Sequence, residues 1–372
     1  MRHLRPTTAT AATTAAAALL LTGATSAAAG PPPGIPPAHA ATSPQTLVEG
    51  LAGPLSFDVA PDGTVYVGQA FAGLVTRVSR TGERTDLVAT EGAGVGAVSY
   101  SRGTLTWAER TDEDFVVTSA VLVRRASDGS EQTVDVLAYE ASANPDQGNT
   151  YGIQGLSEDC AASLPPEVAP FLLPYTGQVD SNPYASVTVG GTTYVADAGA
   201  NAVLAVSADG EVSTAAVLPP VPIEITAGFA ESFGLDECVV GLEYWAEPVP
   251  TDVEVGRNGV LYVSSLPGGP EDGSLGANGG VFTLDPRTGD VDLLHRGFLG
   301  ATDLAVAPDG TVYVTELFGG RLSAITRTGE IRTVAELTEP AAVEWQRGRL
   351  YVATGAFGNG TIMTLMPVRP AS

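Results

Sequence analysis

The nine-residue segment VAPDGTVYV occurs twice in this chain, at 59–67 and again at 306–314, and the two copies are identical. A Pro-Asp-Gly turn followed by alternating apolar residues is typical of a β-hairpin. Looser copies of this hairpin cover residues 98–107, 186–197, 253–263 and 343–353. The chain therefore contains six hairpin units, and its fold must accommodate six structurally equivalent units.

A second hairpin follows the first one in each of the first five units. These second hairpins cover 79–88, 126–136, 207–217, 285–294 and 326–337. One unit is thus four antiparallel strands, and the period is near 40 residues. Four short strands at this period are typical of one blade of a β-propeller. A β-sandwich with long loops is the alternative.

The sixth unit has only three strands before the chain ends. Residues 45–49, ahead of the first unit, resemble the fourth strand of the other units. Pairing this segment with the last unit would cover an exposed strand edge. We therefore predict an all-β fold, a six-bladed β-propeller of the TolB-like or NHL-like type, in which the N-terminal strand closes the last blade.

Two insertions interrupt the period, at 137–181 and at 219–250, and each carries one of the two cysteines. Both insertions join the fourth strand of one unit to the first strand of the next. Both should therefore emerge on the same face. Two cysteines on neighbouring insertions of a secreted chain predict a disulfide between Cys160 and Cys238.

The first forty residues have the pattern of an export signal. A short basic start precedes an Ala- and Leu-rich run, and Ala38 to Ala40 fit a small-residue cleavage site. We predict a signal peptide at 1–40, a propeller at 41–372 and a secreted, extracellular protein. An Ala/Pro-rich leader that is never cut is the alternative. No other segment is apolar over about 18 residues, so we predict no membrane span.

The net charge of the chain limits the classes of partner that it can bind. The chain has 42 Asp and Glu against 18 Arg and no Lys, and the net charge is −24. Such a chain is expected to be a soluble monomer and to avoid nucleic acid and anionic membranes. Outside the first forty residues the only histidine is His295, in a predicted outer strand. A Ser-His-Asp triad, a zinc site with several histidines and Lys Schiff-base chemistry are therefore excluded.

Several longer motifs resemble the ScyD/ScyE family over most of residues 45–366. They are DSNPY (180–184), YVADAGANAVLAV (194–206), PVPTDVEV (248–255) and FLGATDLAVAPDGTVYVTE (298–316). The resemblance implies a secreted, NHL-like propeller and brings no catalytic residues with it. Calcium-dependent lactonases of the gluconolactonase type share the expected fold. Their opening Glu-Gly-Pro is interrupted here by Leu51 and Ala52.

Alignment of the six units on the Gly of the first turn yields two rings of polar residues. The ring at the end of the second strand is Gln69, Glu109, Asp197, Ser265, Glu316 and Thr354. The ring at the start of the first strand is Ser56, Gly96, Tyr184, Asp252, Asp303 and Ala341. Both rings should lie on the face that carries the insertions.

We predict a ligand site formed by the acidic members of these rings, Glu109, Asp197, Asp252, Asp303 and Glu316. Carboxylates suit hard cations, so Asp252 and Asp303 are the predicted ligands of a Ca²⁺ cofactor. In the alternative, these acids accept hydrogen bonds from their own turns.

Two functions remain open. The first is a binding or interaction protein whose insertion-bearing face recognises a protein, a glycan or a small molecule. It should expose apolar side chains around Phe171, Leu172 and Tyr175 or around Phe229 and Phe233. The second is a calcium-dependent hydrolase, similar to a lactonase, with an acidic site at the channel mouth.

Overall fold

A computed structural model describes residues 43–367, and the predicted signal peptide lies outside them. The described chain is nearly all β, with 28 strands in seven four-stranded antiparallel sheets. None of its helices is long and apolar enough to cross a membrane. Strands are numbered along the chain and sheets are named I to VI in the order of the six units.

Five sheets are built from four consecutive strands each, as the repeat predicts. Sheet I contains β2 (Ser56–Val59), β3 (Val65–Gln69), β4 (Leu74–Val78) and β5 (Arg84–Ala89). Sheet II contains β6 (Gly94–Ser101), β7 (Thr104–Glu113), β8 (Val116–Arg125) and β9 (Glu131–Asp135). Sheet III contains β12 (Pro183–Val189), β13 (Thr192–Asp197), β14 (Ala202–Val206) and β15 (Val212–Val217).

Sheet IV contains β18 (Pro250–Val255), β19 (Leu261–Ser265), β20 (Gly279–Asp285) and β21 (Asp290–Phe298). Sheet V contains β22 (Ala301–Val306), β23 (Val312–Glu316), β24 (Arg321–Ile325) and β25 (Ile331–Glu336). Sheet VI combines β26 (Ala342–Gln346), β27 (Arg349–Thr354) and β28 (Asn359–Leu365) with β1 (Gln45–Ala52).

The repeated nonapeptide forms the same turn in sheets I and V. Asp62 Oδ1 accepts from the backbone N of Thr64 at 2.9 Å, and Asp309 Oδ1 accepts from that of Thr311 at 3.0 Å. The glycine between each pair has a φ near 90°, which side chains disfavour. The Asp-Gly pair therefore has a structural role in both copies.

The N-terminal strand pairs with the last unit, which confirms that prediction. β1 lies antiparallel to β28, from Gln45 opposite Thr364 to Ala52 opposite Asn359. Val48 and Leu51 of β1 are buried in the core between sheets VI and I.

The first strands of sheets I to VI enclose a central space. Contacts run from β2 to β6, β12, β18, β22 and β26 in turn, and from β26 back to β2. Side chains reinforce some of these contacts. Ser56 Oγ accepts from the backbone N of Val98, and Gln346 Nε2 donates to the carbonyl of Val59, both at 2.9 Å.

The two insertions form a seventh sheet, which the sequence did not predict. It consists of β11 (Tyr175–Thr176), β10 (Thr150–Gln154), β17 (Glu243–Ala246) and β16 (Val221–Glu224). Its helices are α1 (Val136–Ala143), α2 (Glu158–Ser163), α3 (Ala169–Leu172) and α4 (Ala227–Ser232). Short 3₁₀ turns lie at Glu237–Val239 in the second insertion and at Arg257–Gly259 in the first hairpin of sheet IV. We call residues 137–181 and 219–250 together the insertion subdomain.

The insertion subdomain has its own apolar core, which includes Ile153, Ile225 and Tyr244. A disulfide joins Cys160 of the first insertion to Cys238 of the second, with their Cα atoms 5.9 Å apart. The predicted disulfide is therefore confirmed.

Candidate functional site

Asp252 and Asp303 lie on the first strands of adjacent sheets, IV and V. Both are buried, with exposed fractions of 5% and 6%. Asp252 Oδ2 accepts from the backbone N of Leu304 at 3.1 Å, and Asp303 Oδ1 accepts from that of Val343 at 3.0 Å. Each carboxylate thus ties its own strand to the next sheet. Burial, and then the charge of Asp252, raises the pKa of Asp303 well above its usual range.

Three further acids, absent from the predicted site, face the same central space. Asp58, Glu254 and Glu344 occupy equivalent positions, because each pairs with a tyrosine of the second strand of its sheet. Asp58 Oδ2 accepts from the backbone N of Tyr100 at 2.6 Å. We call Asp58, Asp252, Glu254, Asp303 and Glu344 the central acidic cluster.

The central acidic cluster has two levels. Glu254 lies two residues after Asp252 on the same strand, which corresponds to a step of about 6.6 Å. Asp252 and Asp303 therefore form a level near the start of the first strands. Asp58, Glu254 and Glu344 form the second, deeper level.

The carboxylates of the cluster repel one another. Burial raises the pKa of Asp58 to about 6 and that of Asp252 to about 7. Burial and then neighbouring carboxylates raise the pKa of Glu254 and of Glu344 well above the usual range. Both glutamates are half-buried and keep partial access to solvent. Within residues 43–367, no arginine forms an ion pair with any of the five.

Tyr184, from the DSNPY motif, lies on β12, the first strand of sheet III, which contacts the first strand of sheet IV. Burial raises its pKa, and the charges of Asp303, Glu271 and Asp252 raise it further. Glu271 belongs to the connection between β19 and β20. The Tyr184 hydroxyl is therefore within electrostatic range of two aspartates of the cluster.

The other three predicted site residues lie in separate local networks. Glu316 accepts from Arg321 Nε at 2.7 Å and from the backbone N of Leu299 at 2.9 Å. Asp197 accepts from Ser181 Oγ and from the backbone N of Asn182, both at 2.6 Å.

Glu109 accepts from Trp107 Nε1 at 2.8 Å. Of these three acids, Asp197 also accepts from the turn that follows its strand, at the backbone N of Gly199 and of Ala200, as the alternative predicts.

Two observations bear on the predicted Ca²⁺ ligands. Among residues 43–367, no group of three or more His, Cys, Asp or Glu side chains is arranged to hold a metal ion. Asp252 and Asp303, the predicted Ca²⁺ ligands, each give one oxygen to a backbone amide instead. His295 lies on β21, the outermost strand of its sheet, with Nδ1 2.6 Å from the carbonyl oxygen of Arg296.

Turn length explains why Glu344 was missed. Five residues separate the paired residues Val59 and Val65 in sheet I, whereas two separate Gln346 and Arg349 in sheet VI. Alignment on the turn glycine therefore shifts sheet VI by one residue. Asp58 and Glu254 lie eight residues before the tyrosine they pair with and Glu344 lies seven before its own, so the strand pairing, and not a fixed spacing, places the three in register.

The exposed aromatic residues are not the predicted ones. Leu172 is buried, and the rings of Phe229 and Phe233 pack 4.7 Å apart against the core of the insertion subdomain. Phe171 and Tyr175 are half-buried, and Leu173 beside them is 38% exposed. Phe71, Phe115 and Phe357 are exposed instead, by 62%, 52% and 47%. Each follows the second strand of its sheet, on the face where those strands end.

Comparison with known proteins supports the fold class. No protein-family model and no curated protein matches the chain, so the resemblance to ScyD/ScyE proteins rests on the sequence motifs alone. A protein of Thermus thermophilus, proposed to be an oxidoreductase (glucose dehydrogenase), is 15% identical. The match covers 87% of this chain and 99% of that one, with a TM-score of 0.52.

A protein of unknown function from Bacteroides thetaiotaomicron is 12% identical over 83% of this chain and 68% of that one, with a TM-score of 0.50. The aldose sugar dehydrogenase of Streptomyces coelicolor, solved with bound PQQ, is 15% identical over 87% and 96%, with a TM-score of 0.48. At these identities the comparisons bear on the fold alone, and they assign this chain to the β-propeller type.

Proposed function

We propose that sheets I to VI are the blades of a six-bladed β-propeller and that the central space is its channel. Two observations support this architecture. The six first strands contact one another in a complete cycle, and β1 supplies the fourth strand of the last sheet. The disulfide supports export, because such bonds persist in oxidising compartments. We retain the secreted, ScyD/ScyE-like assignment on these grounds.

We propose further that the protein binds an organic cation in this channel, as a binding protein rather than an enzyme. The observation that carries the proposal is the central acidic cluster. It contains five carboxylates on four neighbouring sheets, and no arginine in the described chain pairs with any of them. A bound cation would relieve their repulsion and return their pKa values toward the usual range.

The spacing favours a ligand with more than one positive centre. The two levels are about 6.6 Å apart along the strands, a separation that the two ends of one extended organic cation can span. A diamine or polyamine can place one ammonium group at Asp252 and Asp303 and another at Glu254 and Glu344. The ring of Tyr184 adds a surface for a cation–π contact. We therefore assign the ligand class as diamines and polyamines.

The channel opens on the face that carries the insertion subdomain. Second strands end on this face, at Asp197 in sheet III, and Asn201 just beyond that strand end contacts the first insertion. The exposed Phe71 and Phe357 lie in the corresponding connections of sheets I and VI. Apolar rings around a charged opening suit the methylene chain of an aliphatic amine.

The hydrolase alternative lacks a specific observation in its favour. A lactonase of the calcium-dependent type needs several oxygen ligands and one open coordination position. The central acidic cluster offers no group of three such side chains within residues 43–367.

A thermal-shift series tests the proposal. We expect spermidine to raise the melting temperature in a concentration-dependent manner and glucose to leave it unchanged. The double variant Glu254→Gln/Glu344→Gln should lose the shift, because it removes two of the charges that attract the ligand. It should still fold, since neither glutamate side chain accepts a hydrogen bond from another sheet. The exposed Glu330→Gln is the matched control and should keep it. Equal shifts in all three proteins would indicate nonspecific attraction to an acidic surface and would refute the site.

A further inference from the structure

A second group of polar side chains lies outside the channel, where the first insertion meets sheet III. Five buried oxygen atoms here accept no hydrogen bond: Glu140 Oε1 and Oε2, Asn144 Oδ1, Asp146 Oδ1 and Asn201 Oδ1. Elsewhere in residues 43–367, Arg124 Nε is the only other buried side-chain nitrogen or oxygen without a partner. Glu140, Asp146 and Asn201 are at most 1% exposed. Such a concentration is unusual, since buried polar atoms are normally satisfied.

Hydrogen bonds and packing connect Asn144, Asp146 and Asn201, and Glu140 lies one helical turn before Asn144. Asn201 Nδ2 donates to Asp146 Oδ2 at 2.9 Å, which joins the end of sheet III to the insertion. Asn144 Nδ2 donates to the carbonyl of Gly177 at 3.1 Å. The carboxylate of Asp146 packs on the same glycine, where an added Cβ would come within 2.0 Å of Oδ1. Asn144 caps the helix that carries Glu140.

The orientation of both amides is fixed by their partners. Asn144 Nδ2 faces a carbonyl and Asn201 Nδ2 faces a carboxylate. A flip of either amide would place oxygen against oxygen. Asp146 Oδ2 already accepts from Tyr151 as well as from Asn201, so its second oxygen is the free one. All five oxygen atoms without a partner in this group are therefore hydrogen-bond acceptors.

A cation can satisfy these acceptor atoms better than a water molecule can. One water donates two hydrogen bonds, whereas five acceptor atoms lack a donor. Carboxylate and amide oxygens are ligands of Ca²⁺, which takes six to eight of them. Two carboxylates balance a divalent charge.

We propose that Glu140, Asn144, Asp146 and Asn201 form a buried Ca²⁺ site that fastens the insertion subdomain to sheet III. The site shares no residue with Asp252 and Asp303, where the sequence led us to expect calcium. It also explains why the ADAGAN motif, which ends in Asn201, accompanies an insertion upstream of DSNPY. The proposal is independent of the ligand in the channel.

Calorimetry on the chelator-treated, full disulfide-bonded protein tests the site. We expect one Ca²⁺ per chain and a melting temperature that rises with Ca²⁺ concentration. Glu140→Gln and Asp146→Asn preserve side-chain shape and should each weaken binding at least about 100-fold. Loss of groups that merely orient ligands already costs about 10–100-fold. The exposed Glu211→Gln, in the turn before β15 of sheet III, should bind as the unchanged protein does.

The variants also separate binding from folding. Glu140→Gln removes a buried charge, so in chelator its melting temperature should equal or exceed that of the unchanged protein. A crystal grown with Ca²⁺ should then show an ion about 2.3–2.6 Å from these oxygens. No Ca²⁺ binding at millimolar concentration, or density at water-like hydrogen-bond distances, would overturn the proposal. Binding unaffected by both variants would overturn it equally.

Discussion

Asp252 Oδ2 accepts a hydrogen bond from the backbone N of Leu304 at 3.1 Å, so a carboxylate of sheet IV holds the first strand of sheet V. Asp303 and Asp58 hold the next sheets, through Val343 and Tyr100. Glu254 and Glu344 make no such contact with another sheet. The central acidic cluster therefore contains three acids that also hold neighbouring sheets together and two that have no such structural role.

The first prediction separates these two kinds of acid. Asp252→Ala leaves the buried backbone N of Leu304 without its acceptor, and such a loss costs about 1–3 kcal/mol. Glu344→Ala removes only a repelling charge and should leave the free energy of unfolding unchanged or raised. Urea denaturation of both variants measures the difference. Equal losses in the two would show that Glu344 also has a structural partner.

The second prediction concerns pH. Asp58 and Asp252 have pKa values raised to about 6 and about 7, so the folded protein keeps protons that the unfolded chain has lost. The contribution of these two groups to the free energy of unfolding is therefore greatest below about pH 4. It is lost as the pH rises to about 7. Glu247 and Asp197, raised to about 7 and about 6, act in the same direction.

Urea midpoints measured between about pH 4 and pH 8 test this sign. Glu254→Gln/Glu344→Gln should flatten the decline, because it removes two of the raised carboxyls. A stability that rises steadily with pH across this range would contradict the buried, unpaired state of the cluster.

The third prediction concerns Glu316, a predicted site residue that forms a buried ion pair. Glu316 is fully buried and Arg321 is 23% exposed at the side chain. Arg321→Met leaves a buried carboxylate without its cation, so we expect a loss of about 3 kcal/mol or more. The matched exposed pair is Glu330 with Arg332, at 55% and 39%. Arg332→Met should cost less than about 1 kcal/mol by the same chemical denaturation.

The fourth prediction concerns the disulfide. Cys160 and Cys238 are 78 residues apart, and closing a loop of that length stabilises by up to about 4–5 kcal/mol in the chain-entropy model. The double variant Cys160→Ser/Cys238→Ser should unfold at lower denaturant concentration, with the insertion subdomain first. Hydrogen exchange of β10 and β17, compared with that of β22, locates the loss. Two reactive thiols in the denatured, unreduced protein would contradict the bond.

Local patterns predicted the strand units, the N-terminal pairing and the disulfide, because Asp-Gly turns and two-residue alternation act over a few residues. The sheet of the insertion subdomain was not predicted, since β10 and β17 pair across about ninety residues and neither is part of a repeat. Glu254 was in the aligned unit but was missed because only strand starts and ends were compared. Glu140 was missed because a helical glutamate is usually exposed, and its burial depends on packing against sheet III.

The most direct measurement of the central claim is a crystal structure of the protein grown with spermidine. We expect the ligand inside the channel, with one nitrogen within hydrogen-bonding distance of the Glu254 or Glu344 carboxylate and another beside Asp252 or Asp303. A channel that holds only water at saturating spermidine, or ligand confined to the outer surface, would contradict the account.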